Sequence, residues 1–233
     1  RISKLLRFCC RKKGFTGEKL CWNIIERKGD SMEKEIKDCL ITMIKTFGDH
    51  EKWVKDYQCG NAWHNEDYIL NTIRPYLKKC GNLLELAVGY GRFSKHLFPY
   101  AQKFYGIDLN QCCIDYCRSN FNQKNIFFDV CDGISIPYGD CKFDLIISLD
   151  SLVHVVPGII EAYIDQGLRS LNSSGLIILH HASVGESVGD RSHVFNSDVD
   201  QMISKFGAKL VARENLWWLP EKKLYNDAIT IIS

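Results

Sequence analysis

Three acids stand at spacings that suit a nucleoside. Glu85 interrupts an apolar run, Asp108 closes a second one, and Asp132 follows a third. A carboxylate at such a strand end accepts hydrogen bonds: Asp108 suits the two hydroxyls of a ribose, and Asp132 suits the exocyclic amino group of adenine. Gly89 and Gly91 lie between the first two acids, where the missing Cβ lets the backbone approach a ligand closely. Each acid alone would be an ordinary solvated loop residue; together, at these intervals, they describe a site.

The elements that must carry these residues are legible from periodicity. Residues 83–88 are a short apolar run of buried-strand character, 89–91 turn the chain, and a helix begins at Phe93. Strand, glycine-rich turn and helix open a doubly wound sheet that holds a nucleotide-like cofactor. A second strand over 103–110 brings Asp108 beside the end of the first, and a helix over 111–120 leads to a third strand over 125–130. The run at 142–150 is apolar on both faces, as in a parallel sheet. A helix over 159–171, a strand over 176–179 ending in His180-His181, a helix from about 198 to 206 capped by Ser197, and strands at 210–218 and 228–232 complete the alternation. The expected fold class is α/β: a Rossmann-like, seven-stranded, mostly parallel sheet flanked by helices, with a helical N-terminal extension.

Upstream, apolar residues recur at helical spacing from Met32 to Phe47, so 31–47 reads as a scaffolding helix. A second amphipathic segment, 67–79, breaks at Pro75. The chain divides into a basic, helical extension over 1–50 and a domain over 51–233, with a cofactor half near 81–150 and an acceptor side near 150–233. The basic beginning, Arg1, Lys4, Arg7, Arg11, Lys12 and Lys13 among apolar residues, is a solvated or linker segment, or a surface- or partner-docking helix. Trp53, Tyr57, Trp63 and His64 are aromatics of a core or a lid. A start at Arg1 suggests a domain cut from something larger.

Composition narrows the class. The 233 residues are 45% hydrophobic and 25% charged, ordinary for a globular protein. A formal charge of +2 lacks the basic footprint of a nucleic-acid binder. Eleven cysteines without paired CxxC spacing fit packed, reduced thiols rather than a zinc site, and so a cytoplasmic setting. Neither a membrane span nor a signal peptide is evident.

The glycine turn departs from the dinucleotide fingerprint: Ser94 stands where a third glycine would seat the helix, and Arg92 follows the second glycine. The stretch Glu85-Leu86-Ala87-Val88-Gly89-Tyr90-Gly91 instead resembles the first motif of class I S-adenosylmethionine-dependent methyltransferases. Gly106-Ile107-Asp108, Asp132-Gly133 with Ile136-Pro137, and Phe143-Asp144-Leu145-Ile146-Ile147-Ser148 resemble the next three motifs in order. The resemblance covers 83–232 and implies cofactor contacts from Glu85, Ala87, Gly89, Gly91, Arg92, Asp108, Leu109, Asp132, Gly133 and Ser148. Residues 149–155 and 178–183 are also similar to enzymes that O-methylate sugars of surface glycans, which implies a carbohydrate acceptor, rhamnose-like or another glycan sugar. Some such domains are fused to glycosyltransferases. Asn226-Asp227-Ala228 departs from the Asp-Cys pattern of that group.

Methyl transfer to a hydroxyl is an in-line displacement in which the enzyme aligns three atoms. A general base adds about 10² to 10⁴ in rate. Asp150, His154, His180 and His181 lie near the expected strand ends. His181 is the expected base ahead of His154, with Asp150 orienting the base or the acceptor. Adjacent strand residues point to opposite faces, so at most one of His180 and His181 reaches the pocket. Asp150 with a histidine would also suit Mg²⁺ or Mn²⁺. In the loop after the fifth strand, Arg191 and His193 could touch an acceptor, and Trp217-Trp218 could stack on a sugar ring. The alternatives are a small-molecule or nucleic-acid methyltransferase, or a partner domain that binds the cofactor without catalysis.

Overall fold

A computed structural model describes residues 30–49, 51–52, 66–184, 191–219 and 224–233, with 30, 31, 217–219 and 224–226 as backbone. The basic beginning, the aromatics 53, 57, 63 and 64, the loop 185–190 and the side chains of Trp217 and Trp218 lie outside the described residues.

Seven strands form one sheet: β1 (Cys80–Leu86), β2 (Ala101–Asp108), β3 (Ile126–Val130), β4 (Phe143–Ser148), β5 (Leu171–Ala182), β6 (Leu210–Leu219) and β7 (Leu224–Ile232), in the spatial order β3-β2-β1-β4-β5-β7-β6. The first five run parallel, and β7 pairs antiparallel with both β5 and β6. The order turns back between β1 and β4, and ligands bind at the C-terminal strand ends beside such a switch point.

The strands are central because both faces are apolar. Leu84, Ile146, Ile177 and Leu179 enter one core cluster, while Leu83, Leu145, Ile147 and Ile178 enter the other. This is the period-two alternation of a sheet covered on both sides. On the first face lie helices α1 (Asp30–Phe47), α5 (Pro157–Ser170) and α6 (Asn196–Lys205); on the second lie α2 (Glu66–Ile73) and α4 (Gln111–Asn120). Among the described residues no helix is long and apolar enough to cross a membrane.

Several expectations shift at their edges. The helix after the glycine turn, α3, is only Ser94–Leu97 and passes into a 3₁₀ turn, Phe98–Tyr100, because Pro99 supplies no N–H to extend the ladder. β5 begins five residues earlier than the apolar run 176–179 and continues through His181 to Ala182. Helix α6 starts at Asn196, with the Asp198 carboxylate accepting from the Phe195 N–H at 2.9 Å; Ser197 is therefore inside the helix rather than its cap.

Candidate active site

The C-terminal ends of β1, β2 and β4 surround a cavity. Its wall includes Glu85, Ala87, Gly89, Arg92, Asp108, Leu109, Gly133, Asp150 and His154, nine of the thirteen residues singled out from the sequence. Gly91, Asp132, Ser148 and His181 do not line it.

The glycine turn is shaped by Asp108. Its Oδ2 accepts from the Gly89 N–H and its Oδ1 from the Asn110 N–H, both at 2.8 Å, so the acid at the end of β2 ties the turn after β1 to the start of α4. Burial raises the Asp108 pKa, and these backbone donors oppose the rise. Glu85 is buried and is bonded by the Ser94 hydroxyl. Burial pushes its carboxyl up to about 8, with the Ser94 bond opposing and the Asp108 charge adding. Gly89 has φ +54° and open space where a Cβ would point, whereas Gly91 has φ +76° and would drive a Cβ to 2.5 Å from the Phe121 ring. The first glycine thus faces the cavity, and the second admits the aromatic that follows α4.

Among the described residues, Ala87 (φ 57°) and Asp150 (φ 51°) are the non-glycine residues in the left-handed region, at the exits of adjacent strands. Ser151 Oγ donates to Ala87 O at 3.0 Å and joins the two turns. Such conformations cost about 1 to 3 kcal/mol each and cluster at functional sites.

The Asp150 carboxylate lies between two arginines. Oδ2 accepts from Arg92 at 2.7 Å and Oδ1 from Arg191 at 3.4 Å. This corrects the expectation that Arg191 reaches toward an acceptor, since its guanidinium turns inward. Among the described residues no group of three or more His, Cys, Asp or Glu side chains is placed to hold a metal ion, so the Mg²⁺ or Mn²⁺ expectation finds no donor set there.

The two histidines of β5 do point to opposite faces, and neither lines the cavity. His180 Nδ1 accepts from the Asp150 N–H at 3.0 Å, while His181 bonds the Thr230 hydroxyl through Nε2 at 2.8 Å and Ala182 O through Nδ1. His181 is fully buried, and burial pushes its pKa down to about 4. His181, the expected base, thus stands in a bonded interior position outside the cavity wall. Ser148 is likewise internal, donating to Leu86 O across β4 and β1 at 3.1 Å. Asp132 Oδ1 accepts from the N–H groups of Ile134 and Ser135, which organises its own turn.

His154 is the imidazole that the fold brings to the wall. It sits on a 3₁₀ turn, Leu152–His154, that leaves β4, and its ring packs at 5.1 Å from Phe47. It also lines an outer groove with Lys34, Asp38, Thr42 and Met43 of α1 and with Ser192 and His193. Helix α1 is more than scaffold, since Leu40, Met43 and Phe47 enter the cavity wall and Leu40 fits against Gly133. Their spacing marks a helix face in the sequence without naming what it covers. Asn110 and Tyr163 also line the cavity and carry no local signal beyond their neighbourhood. The described cysteines are free thiols; Cys131, in the wall, is pushed up to about 12 by burial and stays protonated.

These features fit a nucleoside-bearing cofactor. A buried acid stands at the end of β2, a glycine with open space faces it, and a second buried acid lies in β1.

Comparison with known proteins agrees. Residues 83–175 match the methyltransferase domain family. An uncharacterised methyltransferase of Schizosaccharomyces pombe is 38% identical over 61 residues, 26% of this chain and 22% of that protein. The norajmaline N-methyltransferase of Rauvolfia serpentina is 27% identical over 111 residues, 45% of this chain and 37% of that enzyme. The chain thus spans well under half the length of these curated relatives. An S-adenosylmethionine-dependent methyltransferase structure from Clostridium acetobutylicum superposes with a TM-score of 0.64 at 14% identity, covering 79% of this chain and 98% of the other, which shows the shared fold.

Proposed function

We propose, for a chain that carries a methyltransferase domain with the class I S-adenosylmethionine-dependent fold, that it transfers a methyl group to a hydroxyl of a sugar, in a glycan or polysaccharide. The observation that carries this reading is the position of His154, in the wall of both the inner cavity and the outer groove. A base there meets the cofactor side and the acceptor side at once.

The cofactor side is assigned to Glu85, Gly89, Arg92, Asp108, Leu109 and Gly133. Bound S-adenosylmethionine supplies an electrophilic methyl on a sulfonium. Asp108 has lone pairs beyond its two backbone bonds for ribose hydroxyls, and Gly89 leaves the backbone open beside it. Asp150 holds Arg92 in place, and His154 accepts the proton of the acceptor hydroxyl at an imidazole nitrogen.

The outer groove supports a hydroxylated acceptor, because Lys34, Glu35, Asp38, Thr42, Ser192 and His193 offer both donors and acceptors. Charges of both signs there disfavour a polyanion such as RNA. A second reading, transfer to an amine, is favoured by the N-methyltransferase among the relatives. Transfer of labelled methyl to defined oligosaccharides, small amines and RNA, with and without EDTA, tests the choice. Label on sugar supports it; label confined to amines or RNA overturns it, and loss of transfer in EDTA shows a divalent-ion requirement.

A further inference from the structure

Behind the cavity wall lies a buried ionic cluster that the cofactor and acceptor contacts leave unexplained. Arg92 and Asp150 line the cavity; Arg191 and Asp227 do not. Their side chains are 12%, 8%, 6% and 0% exposed, so all four charges are withdrawn from solvent. Arg191 stands between the carboxylates, 3.4 Å from Asp150 Oδ1 and 3.3 Å from Asp227 Oδ2, and Arg92 holds the other oxygen of Asp150. His180 closes the ring. Its Nδ1 accepts from the Asp150 N–H, so Nε2 carries the proton and donates to Asp227 Oδ2 at 3.3 Å.

Five separate segments are thereby connected: the glycine turn, the exit of β4, β5, β7, and the stretch after residue 190. That stretch is also held by Ser192 N–H donating to Val153 O at 2.8 Å, beside His154. An S-adenosylmethionine molecule and its demethylated product share a skeleton and differ by one positive charge at sulfur. A wall that loses shape would weaken both alike. A wall that changes charge would separate them.

We propose that this cluster sets the charge of the cavity wall, so that Arg191 and Asp227 are positioning residues that fix the preference between the sulfonium cofactor and its uncharged thioether product. This rests on the reading that the cavity takes S-adenosylmethionine. Loss of the Asp227 charge makes the wall one unit more positive toward the sulfonium. Loss of the Arg191 charge makes it one unit more negative.

The test is calorimetric titration of S-adenosylmethionine and S-adenosylhomocysteine into wild type, Asp227→Asn and Arg191→Met. The ratio of their dissociation constants, cofactor over product, should rise about threefold to tenfold in Asp227→Asn and fall by a similar factor in Arg191→Met, as expected for one unit charge near the site at an effective dielectric of about 20. Equal weakening of both ligands in both variants, or shifts of the same sign, overturns the proposal. Should a single charge change prevent folding, the double variant Arg191→Met/Asp227→Asn has the net charge of wild type and must keep the wild-type ratio; a displaced ratio there overturns it too. A wild type that binds neither compound removes the cofactor reading itself, which distinguishes that failure from an unshifted ratio.

Discussion

The Asp150 N–H donates to His180 Nδ1 at 3.0 Å, and this bond assigns a histidine of β5 to architecture rather than to proton transfer. Asp150 leaves β4 with φ 51°, a conformation that needs outside support, and His180 supplies it from the neighbouring strand. His180→Ala would leave a buried N–H without its acceptor. It should destabilise the protein by about 1 to 3 kcal/mol in urea titration.

His154 and His181 should separate cleanly. His154→Gln is expected to lower methyl transfer by about 10² to 10⁴ while S-adenosylmethionine affinity stays within about threefold, and to remove the ascending limb of the pH–rate profile. His181→Gln should keep that limb and most of the rate, losing stability instead, since the ring is sealed against Thr230. Steady-state kinetics across pH with thermal melts would check both.

Glu85 gives a sign to the pH dependence of stability. Its folded pKa, about 8, lies above the ordinary value of 4.5, so the native state holds a proton that the unfolded chain releases. Stability from this group is complete below 4.5 and is lost as pH rises toward 8. His181 acts oppositely, its contribution being lost as pH falls from 6.5 toward 4, so above 6.5 its effect is constant. Between pH 6.5 and 8.5 wild type should lose stability in urea titrations, while Glu85→Gln should show a flatter profile.

Asp108→Asn tests the link between β2 and the glycine turn. An amide can accept through one oxygen only, so one of the Gly89 and Asn110 N–H groups faces an NH₂ donor. Cofactor affinity should fall at least about tenfold and stability by about 1 to 3 kcal/mol. Unchanged calorimetric affinity would remove Asp108 from the ribose site.

The two glycines of the turn should respond unequally to alanine. Gly89→Ala meets open space and carries only left-handed strain, about 1 to 2 kcal/mol. Gly91→Ala adds an overlap with Phe121 at 2.5 Å and should cost about 2 to 5 kcal/mol by denaturant titration.

The amino-acid sequence alone determined the sheet, the glycine turn and nine residues of the cavity wall. Strand periodicity and helix spacing are local properties, and Gly89, Asp108 and Gly133 reach one cavity because each sits a short step past a strand. Even the opposite facing of His180 and His181 follows from the pleat. What surrounds them does not, because Asp227 and Thr230, some fifty residues downstream, meet them only once β7 pairs with β5. The same holds for α1, whose apolar stripe is visible in sequence while its place over Gly133 is not. Arg191 read as a loop cation free for an acceptor becomes a buried bridge between two carboxylates only once β4 and β7 stand on either side of it. Charges at distant positions acquire meaning from the distance between them in space, and packing alone sets that distance.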